Sequence, residues 1–245
     1  MALPPPPPGS DFATSFNQLV MTMPAGEVGV TIFDGQEVTA YGAWTSGPAW
    51  STIKVPLSIA ALNFDQATAE PLLQQAIAQS DNAAADQMWG MLGDPQAAAE
   101  AVETVLAQGG DTAVTVQSQQ IRPPYSPYGQ TEWSQTQAAR FAFGLPCIDG
   151  AQPVVAQMRS LGGNQQWGLA RYPDVAAKGG WGPGPNGGYL VRQIAAVAND
   201  TGTFGASLAA EPADGNFETG KTMLDALGVW LNERRSGIAA RQCWT

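Results

Sequence analysis

Ser51-Thr52-Ile53-Lys54-Val55-Pro56-Leu57-Ser58-Ile59-Ala60-Ala61-Leu62 sets a serine and a lysine three residues apart at the head of an apolar helical run. Residues at i and i+3 of a helix share a face, so the amine can reach the hydroxyl. A serine hydroxyl is a weak nucleophile near neutral pH and needs a base beside it. A lysine serves when burial or a second cation weakens its hold on the proton. The helix start adds backbone N–H groups near Ser51 that can stabilise an oxyanion. Taken alone, the same spacing suits a capping serine beside a solvated lysine.

Composition sharpens the choice. The 245 residues contain no histidine, which excludes Ser-His-Asp and Cys-His catalysis and any His-ligated metal site. Lysine is almost as rare: only Lys54, Lys178 and Lys221 stand beside eight arginines, so the positions that carry it are informative. A formal charge of −10 repels nucleic-acid phosphates and offers anionic lipid no basic patch. No run of 18 apolar residues marks a membrane span. Residues 1–10, with Pro4 to Pro8, read as a stiff proline-rich tether of the kind that spaces an exported domain from an anchor. In an exported chain Cys147 and Cys243 could pair; two free thiols are the alternative.

Along the chain, residues 11–24 carry Phe12, Phe16, Leu19 and Val20 at helical spacing behind Ser10 or Asp11 as an N-cap. Two β-prone runs at 29–33 and 37–41 flank Asp34-Gly35, a hairpin signal. An alanine-rich helical pattern follows, with helices expected near 52–63, 68–79, 82–92, 95–107 and 134–144. Residues 117–130, with Pro123, Pro124 and Pro127, read as a surface loop. Strands are expected within 174–177, 189–199 and 204–210, before a last helix over 218–235. The order predicts an α+β fold: an antiparallel sheet flanked by the N- and C-terminal helices, with an all-α lobe inserted between its strands. Residues 11–49 and 150–245 would form the sheet subdomain and 50–149 the lobe.

Two further motifs join the first. Ser80-Asp81-Asn82 lies at a helix junction inside the expected lobe, and Lys178-Gly179-Gly180-Trp181-Gly182 ends a β-prone run in glycines that let a ligand lie against a strand edge. Each is weak alone, an N-cap cluster and a turn with a solvated lysine. In this order and placement they match the S-x-x-K, S-D-N and K-T-G set of class A β-lactamases and penicillin-binding proteins. The chain resembles that superfamily over nearly its whole length, and two of its three lysines fall inside the motifs.

The resemblance implies a Ser51 acyl-enzyme. Lys54 would be the general base, Ser80 would pass a proton to the leaving nitrogen, and Lys178 would hold Ser80 and favour an anionic substrate. Asn82 would bind the substrate amide, and the backbone N–H groups of Ser51 and Trp181, beside Gly180, would form the oxyanion hole. Arg192 stands in the following strand, where class A enzymes often place an arginine that binds the substrate carboxylate; a rim arginine on a half-exposed strand is the plainer alternative. Three departures stand out. The interval from Ser51 to Ser80 is shorter than in typical class A enzymes, which implies a trimmed lobe and a more open cleft. Gly179 replaces the hydroxyl residue that helps hold the substrate carboxylate. Residues 117–130 contain no glutamate to activate a deacylating water, and the nearest, Glu132, reads as a first-turn helix residue.

The reading is therefore an exported serine hydrolase, presumed a monomer, that acylates on β-lactams or peptidoglycan stem peptides and deacylates slowly. It implies no metal, no organic cofactor, no nucleic acid and no membrane span. The competing class is a non-catalytic envelope protein that keeps the fold and binds a cell-wall ligand. Gly215-Asn216-Phe217-Glu218-Thr219-Gly220-Lys221-Thr222 spells a phosphate-binding loop, but 23 residues after Thr222 leave no room for the parallel sheet that such a loop serves.

Overall fold

The computed structural model describes residues 10–184 and 187–243, so nearly all of the proposed tether lies outside the described residues. The chain begins with α1 (Ser10–Val20) and the hairpin β1 (Gly26–Phe33) and β2 (Val38–Gly42). Asp34 closes the hairpin turn by accepting from the Gln36 and Glu37 amides at 2.7 Å each, the local bonding that makes Asp-Gly a turn signal. A short strand, β3 (Ser46–Pro48), leads through the turn Trp50–Ile53 into α2 (Lys54–Phe64), and α3 (Gln66–Leu73), α4 (Asn82–Met91) and α5 (Pro95–Gln108) pack around α2.

Every residue of α2 from Lys54 to Leu62 is buried, and apart from Lys54 and Ser58 its sequence is apolar on all sides. Asp65, Asp81 and Asp94 open α3, α4 and α5 by accepting from first-turn amides. The loop over 117–130 then reaches β4 (Glu132–Ser134), which pairs with β3 and was not expected from the sequence. Ser134, not Glu132, opens the next helix: a Ser134–Gln137 capping box starts α6 (Gln135–Gly144). A further unexpected helix, α7 (Gln152–Met158), packs against the lobe.

Three long strands, β5 (Val175–Pro183), β6 (Tyr189–Asn199) and β7 (Gly202–Pro212), complete a five-stranded antiparallel sheet in the order β2-β1-β7-β6-β5. The last helix, α8 (Phe217–Arg234), is capped by Asn216, and Lys221 pairs with Glu218 at 2.9 Å, so the 215–222 stretch is an ordinary helix start. α1 and α8 cover one face of the sheet, with Phe16 and Trp230 meeting edge to face at 5.3 Å. α6 bridges to the other side: Phe141 and Ala142 join the lobe core, while Phe143 packs on Phe33 of β1. Cys147 and Cys243 form a disulfide across 96 residues and pin the C-terminal tail beside α6. Among the described residues no helix is long and apolar enough to cross a membrane.

The topology fixes the position of the cleft. β5 is one edge strand of the sheet, and the turn that carries Ser51 abuts it where the lobe begins.

Candidate active site

Ser51 lies in a 3-10 turn, not yet in α2, and Lys54 is the first α2 residue. Side chains at i and i+3 eclipse in a 3-10 turn, so the pair still shares a side. Thr131 accepts from the Ala49 amide at 2.8 Å, and Ala49 accepts from the Thr52 hydroxyl at 2.6 Å, which holds the turn at both ends. Among the described residues only two besides glycines have left-handed backbone, Trp50 at φ 49° and Ser80 at φ 57°. Such conformations cost on the order of 1–3 kcal/mol and persist where the surroundings over-determine them. Both flank the same cleft.

The two buried lysines converge on Ser80. Lys54 Nζ donates to the Ser80 carbonyl at 2.7 Å, the Asp81 carbonyl at 3.2 Å and Asn82 Oδ1 at 2.7 Å. Burial lowers its pKa from 10.5 to about 8, against the opposing charges of Asp81 and Asp86. Lys178 Nζ donates to Ser80 Oγ at 2.8 Å, Gln165 Oε1 at 2.8 Å and the Gly179 carbonyl at 2.9 Å. Burial, then repulsion from Lys54, pushes its pKa well below the ordinary lysine value. Gln165 was missed in the sequence. It is fully buried, it donates through Nε2 to the Ala78 carbonyl at 2.8 Å, and it gives Lys178 a neutral acceptor where a carboxylate would have kept it charged.

The cleft of about 600 Å³ is lined by Ser51, Lys54, Ser80 and Asn82, with Trp50, Tyr125, Trp181 and Tyr189 as aromatic walls. Lys178 lies behind Ser80 with no exposed surface. Gly180 faces the Ser51 turn: a Cβ there would stand 2.8 Å from the Ser51 nitrogen and 2.9 Å from the Ala49 carbonyl oxygen, both rigid backbone. Gly180→Ala is therefore expected to push β5 away from Ser51 and slow acylation about 100-fold, the scale of a lost oxyanion donor; a single-turnover acylation rate equal to the parent's would refute that. The absence of a hydroxyl at 179 also has a steric cause, since a Cβ on Gly179 would lie 2.5 Å from the Trp167 ring.

Solved structures share this arrangement of elements over about nine-tenths of the chain. A β-lactamase from Streptosporangium roseum aligns with a TM-score of 0.68 over 93% of this chain and 100% of its own, at 14% identity. The TLA-3 extended-spectrum β-lactamase aligns at 0.72 over 93% and 99%, with 12% identity. A variant of the last common ancestor of Gram-negative bacteria class A β-lactamase aligns at 0.68 over 91% and 98%, with 17% identity. The chain has the fold of the class A β-lactamases. No protein-family model and no curated protein matches its sequence.

Within that β-lactamase fold, two sequence-based expectations need correction. Arg192 does not reach the cleft. It pairs in register with Gly180, which turns its side chain beneath the Ser51 turn, where it is fully buried. Its Nη1 donates to the carbonyls of Gly47, Pro48 and Trp133 at 2.9–3.1 Å, and its guanidinium sits between the rings of Trp44 and Trp133. Glu132 belongs to β4, accepts from the Ser46 hydroxyl at 2.5 Å and faces a different pocket. Among the described residues, the only carboxylate lining the cleft is Asp86, one helical turn after Asn82 on α4.

Proposed function

We propose that the chain is a serine acyl-transfer hydrolase that forms a Ser51 acyl-enzyme with β-lactams or D-Ala-D-Ala-type cell-wall peptides and clears it slowly. The observation that carries this reading is the convergence of two buried lysines on Ser80, at the wall of the cleft that holds Ser51. In the proposed reaction neutral Lys54 takes the Ser51 proton as Oγ attacks the carbonyl carbon. The oxyanion is held between the Ser51 and Trp181 backbone N–H groups. When the C–N bond breaks, Ser80 gives its proton to the departing nitrogen and takes up the one that Lys54 removed from Ser51, while Lys178 holds the Ser80 hydroxyl in place. Slow clearance follows from a cleft with no glutamate among its described lining residues. The disulfide suits an oxidising, exported setting, and the proline-rich start would serve as its tether.

A second reading has one specific observation in its favour. With Arg192 buried and Gly179 lacking a hydroxyl, the cleft offers a substrate carboxylate fewer partners than the family resemblance implies. That suits a binding protein of the cell envelope that has lost turnover.

Intact-protein mass spectrometry over time with a penicillin separates the readings. The expected result is a one-to-one adduct that persists for minutes on the parent chain and is absent from Ser51→Ala. Rapid drug consumption with a fleeting adduct would replace slow clearance by lactamase turnover. No adduct and no consumption would reject the acyl-enzyme and leave the binding reading.

A further inference from the structure

We infer that Asp86 is the catalytic residue that activates the water which clears the Ser51 acyl-enzyme. The inference rests on the acyl-enzyme reading above. Asn82 and Asp86 are four apart on α4 and so lie on one face of the helix, and both line the cleft with Ser51 and Lys54. Asp86 is also one of the two acidic groups whose charge favours the Lys54 ammonium.

Its carboxylate is held in place. Tyr128, 1% exposed, donates its phenol to Asp86 Oδ1 at 2.5 Å. Burial, and then the carboxylate itself, raise the Tyr128 pKa, so the phenol stays a proton donor. Among the described residues Oδ2 has no hydrogen-bond partner. Tyr128 and Gly129 form the turn that packs on Trp50, the residue before the nucleophile. The loop thus supplies a clamp for a carboxylate on α4 instead of a carboxylate of its own.

The step balances with water as the one co-reactant. Asp86 Oδ2 takes a proton from water while the water oxygen bonds to the acyl carbon. The carbon–Oγ bond of Ser51 then breaks, Oγ takes the proton back, and the product leaves as a carboxylic acid.

The test compares the parent, Asp86→Asn and Asp86→Glu in the penicillin mass time course, with separate measurement of acylation and of adduct lifetime. Asp86→Asn is expected to acylate within about threefold of the parent and to keep its adduct at least about tenfold longer, at the low end of general-base effects. Asp86→Glu should shorten that lifetime again. Added hydroxylamine, a nucleophile that needs no base, should clear the trapped Asp86→Asn adduct. Equal lifetimes in parent and Asp86→Asn, a parent adduct that never clears, or acylation and clearance slowed in parallel would each overturn the inference, the last by assigning Asp86 to the Lys54 environment. Failure of the parent to form any adduct would instead remove the acyl-enzyme reading, and this inference with it.

Discussion

Lys54→Ala is expected to slow acylation by roughly 1,000-fold while the chain still folds, within the range for loss of a positioned general base. In the structure all three Nζ bonds go to the 80–82 turn, the arrangement of an ammonium with every proton donated. The base form has one proton fewer, so one bond is released and a lone pair becomes free for the Ser51 hydroxyl. With a pKa of about 8, only about a tenth of the amine is in that form at pH 7. Because the neutral form is the active one, the parent's acylation rate should climb about tenfold from pH 7 to pH 9 and level off; Lys54→Ala should lose that rise.

Folding should survive the change. The three orphaned acceptors lie at the half-exposed to exposed 80–82 turn, where water can replace the amine, so the cost is about 1–3 kcal/mol. Stopped-flow acylation together with thermal unfolding checks both parts. Acylation at the parental rate in a folded Lys54→Ala chain would move the base role to Lys178.

The parts of this site that were legible in the sequence are those whose chemistry is local. Ser51 and Lys54 are three residues apart, Ser80 and Asn82 two, and the scarcity of lysine made Lys54 and Lys178 conspicuous. The hairpin at Asp34-Gly35 and the alanine-rich helices followed from turn chemistry and periodicity in the same way. What was hidden depends on long-range register. Arg192 was read from its place after the third motif, yet its partners Trp44 and Trp133 lie some 60 to 150 residues away, brought together by the β3–β4 pair.

That pair was itself obscured, because β4 has three residues and runs straight into the Ser134 cap, so Glu132 looked like part of the helix. Gln165 stands in a short turn with no pattern around it, and only the fold brings it to Lys178. Asp86 did carry a signal, the i, i+4 spacing from Asn82. Nothing local could show that the 117–130 loop delivers a tyrosine to that aspartate.

Arg192→Ala should be strongly destabilising, costing about 3–5 kcal/mol, the range for breaking a buried charged network or emptying a large core site. Two separate losses contribute. Three carbonyls from β3 and β4 lose their shared donor, and the space between the rings of Trp44 and Trp133 is left empty. Some of that cost is offset because the guanidinium is poorly compensated as it stands: among the described residues Nε and Nη2 have no partners, and burial lowers its pKa to about 9. Arg192→Met restores most of the volume but not the donor, so it should cost about 2 kcal/mol, and the difference between the two variants measures the cavity. For a domain of this size that predicts a Tm lower by about 10 °C or more for alanine and about half as much for methionine, read by calorimetry. Acylation should fall in step with stability, since the same carbonyls lead into Ala49 and the Ser51 turn. An Arg192→Ala chain with unchanged Tm and weakened affinity only for carboxylate-bearing substrates would overturn the buried role and return Arg192 to the cleft.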